Sequence, residues 1–431
     1  MKSKNLTESP LFTNLYGWLI WVLSALFMFY KYAIEVSPSV MTHDLMKDFS
    51  ISGAQLGNLA ACYFYSYLIM QIPAGILVDR FGPRKVTTIA IFLCAAGSFL
   101  FGRASNLWEA EVGRFLTGAG ASFAAINCLK LIANWFSKKR FAFMAGLMMT
   151  IGMLGAVGGQ RPLSRFIELL GWRPAMEWIG VGGLVLAVLF YLVIRDKSPT
   201  HKEEVHFAPT TKLSSRLKEI IKNKQAWWLS LYSGLAFAPV SVFGGLWGVS
   251  FLSEAFNLSA ASSAHQVSLI FIGFAVGAPC FGWISDALGH RKHVMFWGTL
   301  VALICMSAVL YSPALSSFAL GTLLFVFGLA LSSFLLCFTM ICEISRPIMA
   351  ATAIGFMNSF DAIIGALSDP LTGKFLDLKW QGKIVDGVRI FSVDAYKLAL
   401  TTLPIYLAIS LLCLWAIRET FCKPVYPSTL P

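Results

Sequence analysis

The sequence GILVDRFGPRK at residues 75–85 returns 207 residues later as GWISDALGHRK at residues 282–292. Each copy follows a long apolar segment, and the glycine, aspartate, arginine and lysine positions keep the same offsets. A repeat of this length and spacing indicates that one structural unit has been used twice. We therefore expect two related halves, joined near the middle of the chain.

The composition of the chain points to lipid as its main solvent. Hydrophobic residues make up 57% of the sequence and charged residues 13%, with a mean hydropathy of +0.69. This leaves too little polar surface to solvate a soluble globule of 431 residues. Apolar runs of about 20 residues or more are long enough to cross roughly 30 Å of hydrocarbon as a helix. The sequence predicts an all-α integral membrane protein with twelve transmembrane helices in two pseudo-symmetric six-helix bundles, over residues 15–37, 53–77, 84–103, 107–133, 141–165, 173–194, 226–252, 263–286, 293–312, 315–342, 347–373 and 397–417.

Three parts of the chain follow from this pattern. Residues 1–194 are expected to form the first bundle and residues 225–431 the second. The long polar stretch 195–224 contains prolines and many charges, so it is predicted to be a cytoplasmic linker. Its last part, 214–224, is expected to form a short amphipathic helix on the membrane surface.

The distribution of lysine and arginine orients the predicted helices. Most of the 34 basic residues fall in segments that are cytoplasmic if both termini lie inside, including 80–85, 138–140 and 290–293. The same bias accounts for most of the formal charge of +12, so we expect no nucleic-acid partner. The apolar segment after the first lysines is too long for a signal-peptide core, so the first helix is expected to stay in the mature protein.

The cysteines and histidines show no spacing typical of metal or cofactor chemistry. The nine cysteines stand mostly alone in apolar helices, without a Cys-x-x-Cys pair or a paired-histidine spacing of the zinc type. We interpret them as packing residues and expect no metal, no cofactor and no disulfide. No nucleophile–base set was found either, so an enzyme is not expected.

Polar side chains inside the helices are the candidates for substrate contact, because an unpaired charge in hydrocarbon costs several kcal/mol. Lys31 and Glu35 are four residues apart on one face of the first helix. Arg161 lies at a similar depth in helix 5, so we expect Glu35 to pair with Arg161, either for substrate binding or only to tie two helices together. The predicted substrate-binding residues are Tyr30, Lys31, Glu35, Asn127, Arg161, Asn358 and Asp361.

Asp361 is predicted to carry a coupling proton. It lies near the middle of helix 11, with no lysine or arginine inside its own helix. A buried carboxyl group that gains and loses a proton there suits proton coupling, and Asn358 lies one turn away. The alternative is a carboxyl group held by a hydrogen bond at a helix contact. Glu35 is the second candidate for proton coupling.

The repeated loop resembles the motif G-x-L-x-D-R-x-G-R-R/K that the major facilitator superfamily carries between helices 2 and 3. Arg114, Gly118 and Gly120 match a second motif of that family, R-x-x-x-G-x-G in helix 4. The resemblance covers residues 16–419. It implies transport by alternating access, and it implies that Arg114 modulates proton movement. Arg114 has an equal alternative as a structural partner of Glu111.

Shorter stretches resemble particular groups within that superfamily. FYKYAIEVSPSVM at residues 29–41 is similar to the phagosomal nutrient transporter type of intracellular bacterial pathogens, which imports amino acids or nucleosides. WFSKKR at 135–140, GWR at 171–173 and RDKSP at 195–199 resemble the more distant organic anion and organophosphate permeases. Helix 7 lacks the basic residue with which the organophosphate group holds phosphate, so a zwitterion or neutral solute is favoured.

The repeated loop also predicts a conformational latch that holds one arrangement of the halves and breaks in the other. Gly75 is expected to let helices approach closely, Gly82 to permit the turn, and Asp79 to accept hydrogen bonds. The alternative is that the basic residues only orient the chain. Ala287 stands where Arg80 would be, so the second latch should be weaker. The predicted latch residues are Gly75, Asp79, Arg80, Gly82, Arg84, Asp286, Gly289 and Arg291.

Together these features predict a monomeric secondary transporter of a bacterial inner membrane. Its expected activity is proton-coupled import of a small polar nutrient such as an amino acid, so its partners are that solute, protons and the lipid bilayer. The alternatives are import or export of a carboxylate metabolite or siderophore, and a transporter-like membrane sensor that binds solute without moving it.

Overall fold

The structure is a computed structural model, and it describes residues 10–136, 138–196, 213–312, 315–346 and 349–425. Ten segments of this part are long and apolar enough to cross a membrane. Two further helices of 29 residues complete the twelve spans, in agreement with the predicted major facilitator fold. The twelve spans form two bundles of six.

The first bundle is built from nine helices, some of which join end to end to make one span. The spans are α1, α3, α4, α5 with α6, α7 with α8, and α9, while α2 lies between the first two. The helices are α1 (Pro10–Val36), α2 (Thr42–Phe49), α3 (Gly53–Phe81), α4 (Pro83–Arg103), α5 (Leu107–Ala121), α6 (Ala124–Trp135), α7 (Lys138–Gly158), α8 (Arg161–Leu170) and α9 (Trp172–Val193).

The second bundle repeats this order after a linker helix. Its spans are α11 with α12, α13, α14, α15 with α16, α17, and α18 with α19, and a two-stranded hairpin precedes the last span. The elements are α10 (Leu213–Lys222), α11 (Lys224–Pro239), α12 (Gly248–Phe256), α13 (Ala260–Leu288), α14 (Arg291–Tyr311), α15 (Ser317–Leu331), α16 (Leu336–Glu343), α17 (Ala350–Leu378), β1 (Ile384–Val385), β2 (Val388–Arg389), α18 (Val393–Leu400) and α19 (Thr402–Ala416).

An even number of spans in each half brings the start and end of each half to the same side. We call this side the terminal face, and it carries the start of α1, the repeated loops, α10 and the end of α19. The opposite side is the distal face, and it carries α2, the hairpin and the first turns of α3 and α13. The linker helix α10 occupies Leu213–Lys222, where the sequence predicts a helix over 214–224.

Several spans are interrupted inside the bundle. Pro239, which lacks a backbone N–H, precedes a π-helical turn at Val240–Trp247. Ser122 and Ser332 mark the breaks before α6 and α16, and each hydroxyl donates to a carbonyl three residues earlier. Such breaks leave backbone groups free to meet side chains or solutes in the middle of a bundle.

The two halves contact each other most closely where α3 meets α17. A Cβ atom at Gly57 would lie 2.3 Å from the backbone oxygen of Asp369, and one at Gly373 would lie 2.0 Å from the oxygen of Gly53. The Asp377 carboxylate accepts hydrogen bonds from Gly53 N (2.9 Å) and Ala54 N (2.8 Å). Glycine is therefore required on both helices, and an acidic side chain caps the first turn of α3.

Other hydrogen bonds between the halves also lie at or near the distal face. Thr42 and Ser250 hydroxyls are 2.7 Å apart, and Gln160 Nε2 donates to the backbone oxygen of Gly244 at 2.8 Å. Within the described part of the chain, the hydrogen bonds that join the halves all belong to this distal set. The structure therefore holds its halves together at the distal face.

A charged site between the two halves

Lys31 and Glu35 form a buried ion pair on α1, as their four-residue spacing allows. Their side chains are only 8% and 9% exposed, and Lys31 Nζ contacts Glu35 Oε2. The Tyr63 hydroxyl of α3 donates to the same carboxylate oxygen at 3.0 Å. Breaking such a pair from one side is costly, because the remaining charge stays buried without compensation. The two charges are therefore expected to depend on each other for stability inside the bundle.

Tyrosine rings surround the Lys31 ammonium. Its Nζ lies 3.6 Å from the ring centre of Tyr32 and 5.4 Å from that of Tyr67. The Tyr63 and Tyr67 rings stack at 6.1 Å, so one tyrosine row serves both the ammonium and the carboxylate. Aromatic faces stabilise a cation by about 0.5–2 kcal/mol, depending on desolvation. Tyr63 and Tyr67 thus hold both charges of the pair in fixed positions.

Arg114 closes the end of α1. Its Nη1 donates to Ile34 O at 2.8 Å and its Nη2 to Glu35 O at 3.2 Å, which are carbonyl groups that the helix end leaves without partners. Arg114 is 2% exposed, and its Nε has no hydrogen-bond partner among the residues that the structure describes. Glu111, the alternative partner from the sequence, accepts instead from Asn58 Nδ2 at 2.9 Å.

Asp361 lies across the site from the Lys31–Glu35 pair. It is half-buried on α17 and accepts a hydrogen bond from Ser233 Oγ at 2.7 Å. The Tyr32 hydroxyl lies close enough to Glu35 and Asp361 to feel both charges. Asn358, one turn from Asp361, is half-buried and makes no hydrogen bond with the residues the structure describes. The two carboxylates therefore belong to opposite halves and act on the same tyrosine hydroxyl.

Asp369 is a buried carboxylate that the sequence places among the polar residues of helix 11 but that was not included in the predicted site. It is 2% exposed, and its Oδ1 has no hydrogen-bond partner among the described residues. Arg114, in the other half, supplies the opposite charge that acts on it. Gly373 lies four residues later, and a glycine at this spacing marks the close approach of a neighbouring backbone. The glycine near Asp369 can be read from the sequence, but the sequence does not show that α3 is the helix that packs against it.

Arg161 is not placed where the sequence predicted. The helix breaks at Gln160, and Arg161 begins α8 as an exposed residue with Nη1 3.4 Å from His265 Nδ1. It therefore does not form the expected pair with Glu35, which binds Lys31 instead. Arg161 borders a cleft at the distal face, with Arg165, Ser262 and Ser317 among its other lining residues.

Tyr30 and Asn127 are turned into the first bundle. The Tyr30 hydroxyl would lie 2.3 Å from a Cβ at Gly183, so this ring packs against α9 rather than beside Lys31. Asn127 is 1% exposed, donates from Nδ2 to Phe123 O at 3.0 Å, and leaves its Oδ1 without a partner among the described residues. The Tyr30 hydroxyl is likewise buried without a hydrogen-bond partner among the described residues, so each of the two residues leaves one polar atom unpaired.

The first repeated loop turns as predicted but packs differently. Gly82 has φ +82°, and its neighbour Arg84 donates from backbone N to Asp196 at 2.7 Å and from Nε to Tyr191 O at 2.9 Å. A Cβ at Gly75 would meet no atom within 4 Å, so the expected close approach at this glycine is wrong. Arg80 is exposed beside the Phe81 ring. The Asp79 side chain lies outside the described residues.

The second repeated loop forms an ion-pair network within its own half. Arg291 contacts Asp286 Oδ1 at 2.6 Å and Glu343 Oε1 at 3.1 Å. Gly289 turns the chain with φ +67°. Although Ala287 replaces the arginine found at Arg80 in the first loop, the second loop therefore keeps both ion pairs of Arg291. These contacts do not cross to the first half, so the latch role of either loop stays a prediction.

Asp196 and Glu419 are matching residues that the sequence analysis missed. Asp196 follows the sixth span and accepts from Arg84 N, while Glu419 follows the twelfth and accepts from Arg291 N at 3.0 Å and Lys292 N at 2.8 Å. Burial raises the pKa of the Glu419 carboxyl, but these backbone donors outweigh it and hold that pKa below its ordinary value. Each carboxylate caps the helix that follows a repeated loop.

Comparisons with known proteins agree with this architecture. The sequence profile of the Major Facilitator Superfamily matches residues 17–368 and 229–417. The membrane sensor protein UhpC of Escherichia coli K12 is 24% identical over 89% of this chain and 90% of its own. The human lysosomal dipeptide transporter MFSD1 is 23% identical over 83% of this chain and 80% of its own.

A solved structure shares the fold. A bacterial homologue of the human lysosomal transporter Spinster, crystallised in an inward-facing and unoccupied conformation, superposes with a TM-score of 0.78 at 16% identity, over 96% of this chain and 99% of that one. These matches do not show that the chain is of the phagosomal nutrient transporter type, because they include relatives named for several different substrates. The matching profile, the twelve spans and the repeated loop establish that this chain belongs to the Major Facilitator Superfamily and is a membrane transport protein, not an enzyme.

Proposed function

We propose that the chain is a secondary active transporter that imports a small polar nutrient, such as an amino acid, together with protons. The observation that carries this proposal is a buried site of mixed charge, Lys31 with Glu35 facing Asp361, set between halves that are joined at the distal face. A site in this position can open to either side in turn when the halves rock against each other.

Alternating access requires two competing locks. The distal lock is the contact of α3 with α17, including Asp377 at the first turn of α3. We propose that the terminal face is cytoplasmic and that the repeated loops form the second lock when the distal contact separates. The predicted latch residues, including Arg80, Arg84, Asp286 and Arg291, lie at that face.

A zwitterion fits the charges of the site. The Lys31 ammonium offers a partner for a carboxylate, and Glu35 and Asp361 offer partners for an ammonium group. The tyrosine rings supply apolar walls with hydroxyl groups, which suit a small solute. The dipeptide specificity named for MFSD1 supports this substrate class.

Proton coupling is proposed to involve carboxylates that the two halves contribute to the space between them. Asp361 and Glu35 belong to opposite halves and both act on the Tyr32 hydroxyl, and Arg114 binds the carbonyl groups at the end of α1. Asp369 adds a fourth candidate, because its neighbours Gly57 and Arg114 belong to the other half. Burial of a charged carboxylate costs several kcal/mol, so protonation favours closure around it.

The double substitution Lys31→Gln with Glu35→Gln tests the site. It keeps two polar side chains of similar size and leaves no single charge buried, so we expect the chain to fold. Loss of charge-assisted hydrogen bonds to a zwitterion should weaken binding by at least about tenfold. The measurement is ligand-induced thermal stabilisation in detergent across amino acids, dipeptides, nucleosides, carboxylates and siderophores.

The matched control is Lys47→Gln, since Lys47 is exposed on α2 at the distal face. It should bind like the unmodified protein. Equal affinity in the double variant and the control, for whichever solute stabilises the protein, would show that the substrate does not contact this pair. Preference for a carboxylate or siderophore would support the alternative transport reading.

A membrane sensor is the second candidate function, and the match to UhpC favours it. Such a sensor would bind solute and show little flux in liposomes under a proton gradient. Uptake in liposomes therefore separates the two functions, whereas thermal stabilisation alone does not.

A further inference from the structure

We propose that His290, His293 and Glu419 form a binding site for a Zn²⁺-class divalent cation at the terminal face of the second half. His290 ends the second repeated loop, His293 lies in the first turn of α14, and Glu419 follows α19. The proposal concerns a site outside the charged site between the halves, so it does not depend on the identity of the transported solute.

The three side chains already lie close to one another. One ligand atom from each residue falls within 4.8 Å of the others. The two imidazole rings are 5.0 Å apart between centres, and His293 Nδ1 lies 4.0 Å from Glu419 Oε2. Tetrahedral zinc with bonds of about 2.0–2.1 Å separates its ligand atoms by roughly 3.3–3.5 Å. Small side-chain rotations are enough to close that difference.

The surrounding backbone fixes the carboxylate before any cation arrives. Glu419 accepts hydrogen bonds from the N–H groups of Arg291 and Lys292, which hold it between the two histidines. Glu419 Oε1 also accepts from Thr420 N and Phe421 N, whereas Oε2 accepts only from Lys292 N among the described residues. A carboxylate oxygen has two acceptor positions, so Oε2, the oxygen nearer His293, keeps one for a cation. His290 Nδ1 is buried and has no hydrogen-bond partner among the described residues. Backbone hydrogen bonds therefore position Glu419 without a metal, and His290 keeps a ring nitrogen that no described residue occupies.

Nearby charges permit a cation. The Arg291 guanidinium is occupied by Asp286 and Glu343, and Lys292 Nζ donates to Ile417 O at 2.9 Å. Among the groups joined by these contacts, three carboxylates, including Glu419, stand against two basic side chains, a net charge of −1 that does not include the exposed Arg418 next to Glu419. His293 is exposed, so a cation can reach the site from the aqueous side.

The donor set selects the class of cation. Two imidazole nitrogens and one carboxylate are typical ligands of Zn²⁺ and its neighbours, with a water completing four-fold coordination. Mg²⁺ and Ca²⁺ prefer oxygen ligands throughout. The first half lacks the site, because Pro83 and Val86 stand at the positions that match His290 and His293. A bound cation would join the second repeated loop to the segment after the last span.

Zinc titration of the whole chain tests the proposal. Thermal unfolding of the purified protein, with any histidine tag removed, is measured in detergent with ZnCl₂ and with MgCl₂. We expect a saturable rise in Tm with Zn²⁺ and none with Mg²⁺. His293→Ala and His290→Ala should each weaken apparent Zn²⁺ binding by more than about tenfold, since even outer partners of a metal cost roughly 10–100-fold.

His43→Ala is the matched control, because His43 is an exposed histidine at the distal face. This control should keep the full response to Zn²⁺. Direct Zn²⁺ titration by calorimetry of all four proteins provides a readout that does not depend on unfolding. A Zn²⁺ response that is unchanged in His293→Ala and His290→Ala, or absent from the unmodified protein, would overturn the site. Loss of response in these two variants alone would support it.

Discussion

Replacing Gly373 by alanine is expected to reduce uptake by about tenfold or more. The new methyl carbon would lie 2.0 Å from the backbone oxygen of Gly53, a distance at which the two helices must separate. Overpacking of this kind costs about 1–3 kcal/mol, and each 1.4 kcal/mol shifts an equilibrium by about tenfold. The cost falls only on the state in which the distal face is closed, so the transport cycle is blocked there.

Folding of the helix itself should not suffer. Alanine is favoured over glycine inside a helix by about 0.8–1 kcal/mol. Gly355→Ala on the same helix is the matched control, because a Cβ at Gly355 meets no atom within 4 Å. The measurements are uptake in liposomes and oxidative cross-linking of Thr42→Cys to Ser250→Cys, whose hydroxyl oxygens are 2.7 Å apart in this state. Equal uptake and equal cross-linking in both alanine variants would show that α3 and α17 need not touch.

The apolar runs predicted the spans well because helix length must match the hydrocarbon thickness. The sixth span was predicted at 173–194 and is Trp172–Val193, and the ninth was predicted at 293–312 and is Arg291–Tyr311. The breaks within spans were not predicted. Hydropathy reports burial in lipid and carries little information about a π-helical turn after Pro239.

The candidate site was predicted in part. The four-residue spacing of Lys31 and Glu35 is a local property of a helix, so their pairing followed from the sequence. The placement of Arg161 failed because its depth was counted along an unbroken helix, whereas the chain turns at Gln160. Contacts such as Glu419 with α14 join segments far apart in sequence, and one sequence offers no signal for them.

The variants Asp369→Asn and Asp361→Asn are expected to separate proton coupling from substrate binding. A residue that couples protons to movement must change its surroundings between the two states. Asp361 bonds to Ser233, which lies in its own half and travels with it. Asp369 contacts Gly57 and responds to Arg114, both in the other half, so opening the distal face would move it from a buried interface toward water.

Charged and titratable side chains of the first half act on Asp369. Arg114 supplies the opposing charge, and the Tyr65 hydroxyl of α3 also feels the carboxylate. Glu111 lies farther along this network, where Asn58 joins it to Tyr65. Closing the distal face over a charged Asp369 is costly, since its Oδ1 gains no hydrogen bond from the described part of the chain. Binding a proton from the distal side removes that cost and permits closure.

Asp369→Asn mimics the protonated state, so we expect distal closure without a proton. Uptake by this variant in liposomes should proceed down the substrate gradient but lose its stimulation by an imposed proton gradient, while ligand-induced stabilisation persists. Asp361→Asn should also lose proton stimulation if Asp361 carries the proton, as the sequence predicts. Full proton dependence in Asp361→Asn with none in Asp369→Asn would assign coupling to the interface carboxylate. Full proton dependence in Asp369→Asn with none in Asp361→Asn would assign proton coupling to Asp361. A carboxylate whose hydrogen bond stays within one half would then be sufficient to bind the transported proton.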